Sequence, residues 1–64
     1  MKIVVNGEPR EVAADTLSEL LVECEFSGRV ATAVNEAFVS ASLRERHILH
    51  DGDRVEILAP MQGG

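Results

Sequence analysis

The chain has 64 residues, 45% of them apolar, and eleven acidic side chains against six basic ones give a net charge of −5. This composition suits one small folded domain and excludes disorder throughout, but a chain of this size buries only about 60% of its unfolded surface and has little room for an enclosed active site. The acidic charge is spread without blocks, which argues against nucleic acid or an anionic membrane as partner and favours a basic or apolar docking face on another protein.

A single cysteine excludes an internal disulfide, and no apolar run approaches the roughly 18 residues of a membrane span. With no charged leader before an apolar run, the expected setting is a reducing cytoplasm.

In chain order, Met1-Lys2-Ile3-Val4-Val5 predicts a first strand. Its β-branched run lacks alternation, which places it at the centre of a sheet or under cover on both faces. Asn6-Gly7 predicts a type I′ hairpin turn, because both residues tolerate positive φ, and Arg10-Glu11-Val12-Ala13 is the expected returning strand. Leu17, Leu20, Leu21 and Cys24 then recur at i, i+3, i+4 and i+7, the stripe of one amphipathic helix. Thr16 and Glu19 form a capping-box pattern at its start, Asp15 adds negative charge there, and Gly28 is the expected stop. Cys24, on the apolar stripe with nothing basic beside it, reads as a small buried hydrophobe.

Val30 to Val34 predicts a third strand, turned by Asn35-Glu36 into Ala37-Phe38-Val39 as a second hairpin. Phe38 is expected in the core, since a lone aromatic in an acidic domain lacks the basic surroundings of a base-stacking platform. Ser42 to Arg46 can form one helical turn. His47, His50, Asp51 and Asp53 have the residue types of a metal site but no further close-set ligand, so the expectation is a polar loop around buried Leu49 and no metal. His50-Asp51-Gly52-Asp53 is a turn, and Arg54-Val55-Glu56-Ile57-Leu58 a last strand, with Val55 and Ile57 on one face and Leu58 on the other, more exposed one.

The chain ends Ala59-Pro60-Met61-Gln62-Gly63-Gly64. Pro60 has no N–H for a ladder, so the expected division is a folded domain over 1–59 and a flexible tail over 60–64. A glycine pair has no Cβ and can thread a channel too narrow for other residues. The terminal carboxylate is ionised at pH 7 and a poor electrophile, but a partner that converted it to an acyl-adenylate would expose its carbonyl to a sulfur or nitrogen nucleophile.

Strand-Asn6-Gly7-strand, the helix opened by Thr16, Val34-Asn35, Asp51-Gly52-Asp53-Arg54-Val55-Glu56-Ile57 and Pro60-Met61-Gln62-Gly63-Gly64 together resemble the ThiS family, the sulfur carriers of thiamine biosynthesis, over essentially the whole chain. Glu36 stands where that family often has glycine, and Val39-Ser40-Ala41-Ser42-Leu43 replaces its Val-Pro-Arg-x-x-Trp stretch.

The resemblance implies an α+β, ubiquitin-like β-grasp: a mixed sheet of four to five strands, the first and last parallel neighbours, with one main helix packed on one face. It implies a protein cosubstrate rather than an enzyme, with no bound cofactor and with ATP consumed by the partner. Gly64 would carry the adenylate and then the thiocarboxylate. Gly63, Gln62, Met61 and Pro60 would thread into the partner. Apart from the resemblance, a five-residue tail gives too few contacts for specific recognition, so Leu58 and Met61, together with the sheet face beside the tail, are expected to form an apolar docking patch. The implied partners are a ThiF-like adenylating enzyme, the thiazole synthase ThiG and sulfur drawn from cysteine by a desulfurase. Two alternatives stay open at this point. One is the MoaD type, the small subunit of molybdopterin synthase, whose chains usually have more sequence between first hairpin and helix. The other is a β-grasp interaction module with a passive tail.

Overall fold

The computed structural model describes residues 1–59, and Pro60, Met61, Gln62, Gly63 and Gly64 lie outside the described residues. Strands Lys2–Val5 (β1) and Glu8–Glu11 (β2) precede helix Leu17–Glu23 (α1), and Ala31–Val34 (β3), Ala37–Val39 (β4) and Arg54–Leu58 (β5) follow. They form one sheet in the order β2-β1-β5-β3-β4, with β1 and β5 parallel and the other pairs antiparallel. This is the expected mixed sheet, in its five-strand form, with one helix.

Asn6 (φ 51°) and Gly7 (φ 85°) make the two-residue turn, so Val5 faces Glu8 directly. The returning strand therefore begins at Glu8, two residues earlier than expected, and Val12 and Ala13 lie beyond its end. Pro9 is tolerated there. Met1 and Val12 exchange backbone hydrogen bonds at 2.8 and 3.1 Å, and alternation along the ladder makes Val4 and Pro9 a pair that exchanges none. The missing N–H of Pro9 thus points off the outer edge of the sheet, where proline is allowed.

The capping box forms as expected. The Glu19 amide donates to Thr16 Oγ1 at 3.2 Å, and Glu19 Oε1 accepts from the amides of Thr16 and Asp15 at 3.3 and 2.9 Å. The next helix amides are met from the 40s loop, where the carbonyls of His47 and Arg44 accept from Leu17 and Ser18 at 3.0 and 3.1 Å. Leu17, Leu20 and Leu21 are buried in one cluster with Ile3, Val5, Val34, Val55 and Ile57. Among the described residues only one sheet face is covered: Ile3 and Val5 are buried while Val4 is half-exposed, so the first strand owes its unbroken apolar run to its place between two neighbours.

The helix stop is not Gly28. Glu25 takes the left-handed conformation (φ 64°), its amide donating to the Val22 carbonyl at 3.0 Å while the Phe26 amide reaches the Leu21 carbonyl at 2.9 Å. This is a Schellman ending with glutamate where glycine is usual, held because Phe26 packs onto the core. Cys24 is the C-cap and only half-buried, beside the core rather than in it.

Phe38 is exposed (73%), against the core position expected. Its hairpin forms, with Asn35 (φ 50°) and Glu36 (φ 73°) as the turn, and the register puts Phe38 opposite Ala33. Thr32, Val34 and Val39 occupy the buried face, so parity sends Phe38 to the other. In the 40s, a 3₁₀ turn forms at Ala41–Leu43 and Leu49 is buried. Among the described residues no group of three or more His, Cys, Asp or Glu side chains could hold a metal, and no helix is long and apolar enough to cross a membrane.

Candidate functional site

The end of β5, with Ala59 after it, is the part of the described chain nearest in sequence to the C-terminal glycines, and its neighbours in the sheet define the surface beside it. Arg54, Glu56 and Leu58 alternate onto the open sheet face, and Leu58 is 67% exposed. Leu58 lies opposite Ala31, and Glu56 opposite Ala33, which in turn faces Phe38. The two alanines of β3 therefore form a low row on this face, Ala33 between Glu56 and Phe38 and Ala31 beside Leu58, so that Leu58 and Phe38 are diagonal neighbours across it. At its lower end Arg29, Val30, Ala31, Leu58 and Ala59 line an open groove of about 350 Å³. Apolar side chains this exposed, gathered on one face, are the usual material of a docking surface.

Four polar side chains hold this region in place. Arg44 bridges from the loop after β4, its Nε donating to Thr32 Oγ1 at 2.9 Å and Nη2 to the Val30 carbonyl at 2.6 Å. Thr32, almost fully buried, passes its own proton to the Val39 carbonyl at 2.7 Å. Asn35 Oδ1 accepts from the Arg54 amide at 3.0 Å where β5 begins, and Asn6 receives and donates a bond at Ile57 where it ends.

Asp53 stands just before β5. Partial burial alone would raise its carboxyl, but the His50 amide, the Asn35 side-chain amide and the nearby imidazoles of His50 and His47 together outweigh it and hold it below the ordinary carboxylate range. Its bonds are structural: they close the turn that aligns β5 with β1, where Gly52 donates to the Lys2 carbonyl and Lys2 to Asp51 Oδ1, both at 2.7 Å.

Leu58 is thus where the sequence placed it. Met61, its expected companion, and the threading residues Pro60, Gln62, Gly63 and Gly64 lie outside the described residues. Phe38 and the β3 alanines were missed as lining. The signal was present, because a two-residue Asn35-Glu36 turn fixes Phe38 opposite Ala33, on the face away from Thr32 and Val34.

Comparison with known proteins supplies the context. A family model described as the ThiS family matches residues 3–64. The sulfur carrier protein ThiS of Thermus thermophilus is 44% identical over 62 residues, spanning 94% of this chain and 95% of the relative. A crystal structure of a thiamine biosynthesis protein (ThiS) from Geobacter metallireducens superposes with a TM-score of 0.83 at 30% identity, covering 100% of both chains. A solution structure of a thiamine biosynthesis protein from the same organism gives 0.82 at 29% identity, over 100% of this chain and 88% of the other.

Proposed function

The chain belongs to the ThiS family of sulfur carrier proteins of thiamine biosynthesis, and from that premise we propose that Gly64 is the atom-bearing end of the carrier. The Gly64 carboxylate attacks the α-phosphate of ATP within a ThiF-like adenylating enzyme, releasing pyrophosphate and leaving an acyl-adenylate. The outer sulfur of an enzyme persulfide, formed from cysteine by a desulfurase, then displaces AMP at the carbonyl to give an acyl disulfide, and a second thiol of the partner reduces that S–S bond, forming a disulfide itself and releasing the thiocarboxylate. The thiazole synthase ThiG takes up that sulfur. The observation that carries this reading is that the family match runs through Gly63 and Gly64 themselves. Its relatives are thiamine biosynthesis proteins, which favours thiazole over molybdopterin as the destination.

In this reading the protein binds no cofactor and is a cosubstrate. Pro60, Met61, Gln62 and Gly63 thread into the partner, glycine at 63 because a channel around the reacting carbonyl leaves no space for a side chain. Five residues give too few contacts for specific recognition, so Leu58, with Met61 and the newly found Phe38, supplies the docking surface.

The test is intact mass after incubation with ATP, a ThiF-like enzyme and a cysteine-derived sulfur source. The expected gain is one oxygen exchanged for one sulfur, mapped to Gly64 and lost in a Gly64-deleted control. The control is needed because simple oxidation adds nearly the same mass. No gain with several such enzymes would leave the tail passive and the proposal wrong.

A further inference from the structure

Hydrogen bonding along β5 divides by residue parity. Val4 and Asn6 donate their amides to the carbonyls of Asp53 and Val55, both at 2.9 Å, so the odd-numbered residues of β5 face β1. Asn35 donates to the Arg54 carbonyl at 2.7 Å, so the even-numbered ones face β3. Ile57 is the next odd residue, but β1 has no further rung to offer: the chain turns away at Asn6 and Gly7 into β2. Ile57 is buried, and an amide and carbonyl left unpaired there would carry a full desolvation penalty.

The Asn6 carboxamide fills the gap. Its Oδ1 accepts from the Ile57 amide at 2.8 Å and its Nδ2 donates to the Ile57 carbonyl at 3.1 Å, across 51 residues of sequence. The side chain thus acts as one additional peptide unit of β1. Only a planar group with an acceptor and a donor side by side can do this, which asparagine has and aspartate and glycine lack.

The bond lies one residue before Leu58 and two before Ala59, where the chain leaves the sheet. Without it, Ile57 is held from the β3 side only through its neighbours Glu56 and Leu58, and the end of β5 can swing about that single attachment. We infer that Asn6 is a positioning residue for sulfur transfer: it fixes the direction in which β5 delivers the C-terminal residues, so that docking through Leu58 and Phe38 places the terminal carboxylate at the enzyme's ATP. The inference rests on the carrier function proposed above. Its signature is kinetic, since Leu58 keeps its pairing with Ala31 and Phe38 its pairing with Ala33, while the direction of the chain beyond them is lost.

Asn6→Gly separates the two roles of the residue, because glycine keeps the left-handed turn and removes only the carboxamide. Thr16→Ala is the control for lost stability, removing a helix-cap hydroxyl that accepts from the Glu19 amide and takes no part in the β1–β5 pairing. Each is assayed by ATP–pyrophosphate exchange with a ThiF-like enzyme, and the Ile57 amide is followed by hydrogen exchange. The expected result for Asn6→Gly is faster exchange at Ile57, KM near that of the wild type and kcat lowered about tenfold or more, as misplacement of a reacting group does. Thr16→Ala should leave kcat unchanged. Equal kcat in Asn6→Gly and wild type, or an equal fall in Thr16→Ala, overturns the inference. Absence of exchange in the wild type with several ThiF-like enzymes overturns the carrier function itself, and this inference with it. Should Asn6→Gly fail to fold, Asn6→Asp replaces it, keeping the acceptor and losing the donor, with the same expected direction.

Discussion

Asn35 and Asp53, eighteen residues apart, are joined by a 3.0 Å hydrogen bond from Asn35 Nδ2 to Asp53 Oδ1. The other Asp53 oxygen accepts from the His50 amide at 2.9 Å, so the carboxylate ties the β3–β4 turn to the start of β5. These bonds hold the Asp53 pKa below its ordinary value despite partial burial. Since the unfolded value is about 3.9, the unfolded chain takes up this proton first as pH falls. The stability Asp53 contributes is therefore fully present above the unfolded pKa and lost as pH falls through the folded one. In urea denaturation the gap between wild type and Asp53→Asn should be widest at neutral pH and narrow by pH 3. A gap that stays constant over that range would show that the charge contributes nothing.

Two glutamates occupy left-handed backbone, Glu25 at the helix end and Glu36 in the β3–β4 turn. That conformation costs a residue with a Cβ about 1–2 kcal/mol, whereas glycine returns only about 0.4–1 kcal/mol through the freedom of the unfolded chain. Glu25→Gly and Glu36→Gly should each stabilise the fold by roughly 0.5–1 kcal/mol. The loss of the Glu36–Arg54 pair matters little, because at 3.9 Å between exposed side chains it is weak. The two sites belong to separate elements, the helix end and the β3–β4 turn, and share no hydrogen-bond partner, so the double variant should show an additive rise in thermal midpoint.

What the sequence made legible was whatever local chemistry dictates. Thr16 and Glu19 state a capping box, Asn6-Gly7 a tight turn, and Leu17, Leu20 and Leu21 a buried stripe, and all three form. The errors arose where a residue's state depends on a partner distant in sequence. Phe38 is apolar and was expected inside, but strand parity places it opposite Ala33 on the open face. Gly28 was the better left-handed residue by intrinsic preference, yet the anchoring of Phe26 on the core ends the helix at Glu25 instead. The side-chain roles of Asn6 and Asn35 were hidden for the same reason: their turn propensity is local, but Ile57 and Arg54 are brought to them only by the sheet.

Arg44 shows how such a long-range contact can be tested for stability. Its guanidinium serves Thr32 Oγ1 and the Val30 carbonyl at once, a forked geometry that an ammonium cannot reproduce. Arg44→Lys should therefore cost about 1–2 kcal/mol, nearly as much as Arg44→Ala, rather than behaving as a conservative change. Equal stability of wild type and Arg44→Lys would show that one point donor suffices.

The docking surface yields the last prediction. Leu58 and Phe38 are both exposed, so neither supports the core, and Leu58→Asp or Phe38→Ser should leave the thermal midpoint almost unchanged. Each nevertheless presents an apolar side chain whose full burial against a partner is worth about 1.5–3 kcal/mol. At 1.4 kcal/mol per tenfold, either substitution should weaken binding to a ThiF-like enzyme by roughly tenfold to a hundredfold. Leu58→Asp should be the more severe, because it also places a charge in the groove beside Val30, Ala31 and Ala59. Titration calorimetry with the enzyme measures this directly. The pattern should be the reverse of Asn6→Gly, with binding lost but the catalytic rate at saturation retained. Unchanged affinity in both variants would mean that the enzyme docks elsewhere, and the α1 side of the sheet would become the surface to examine.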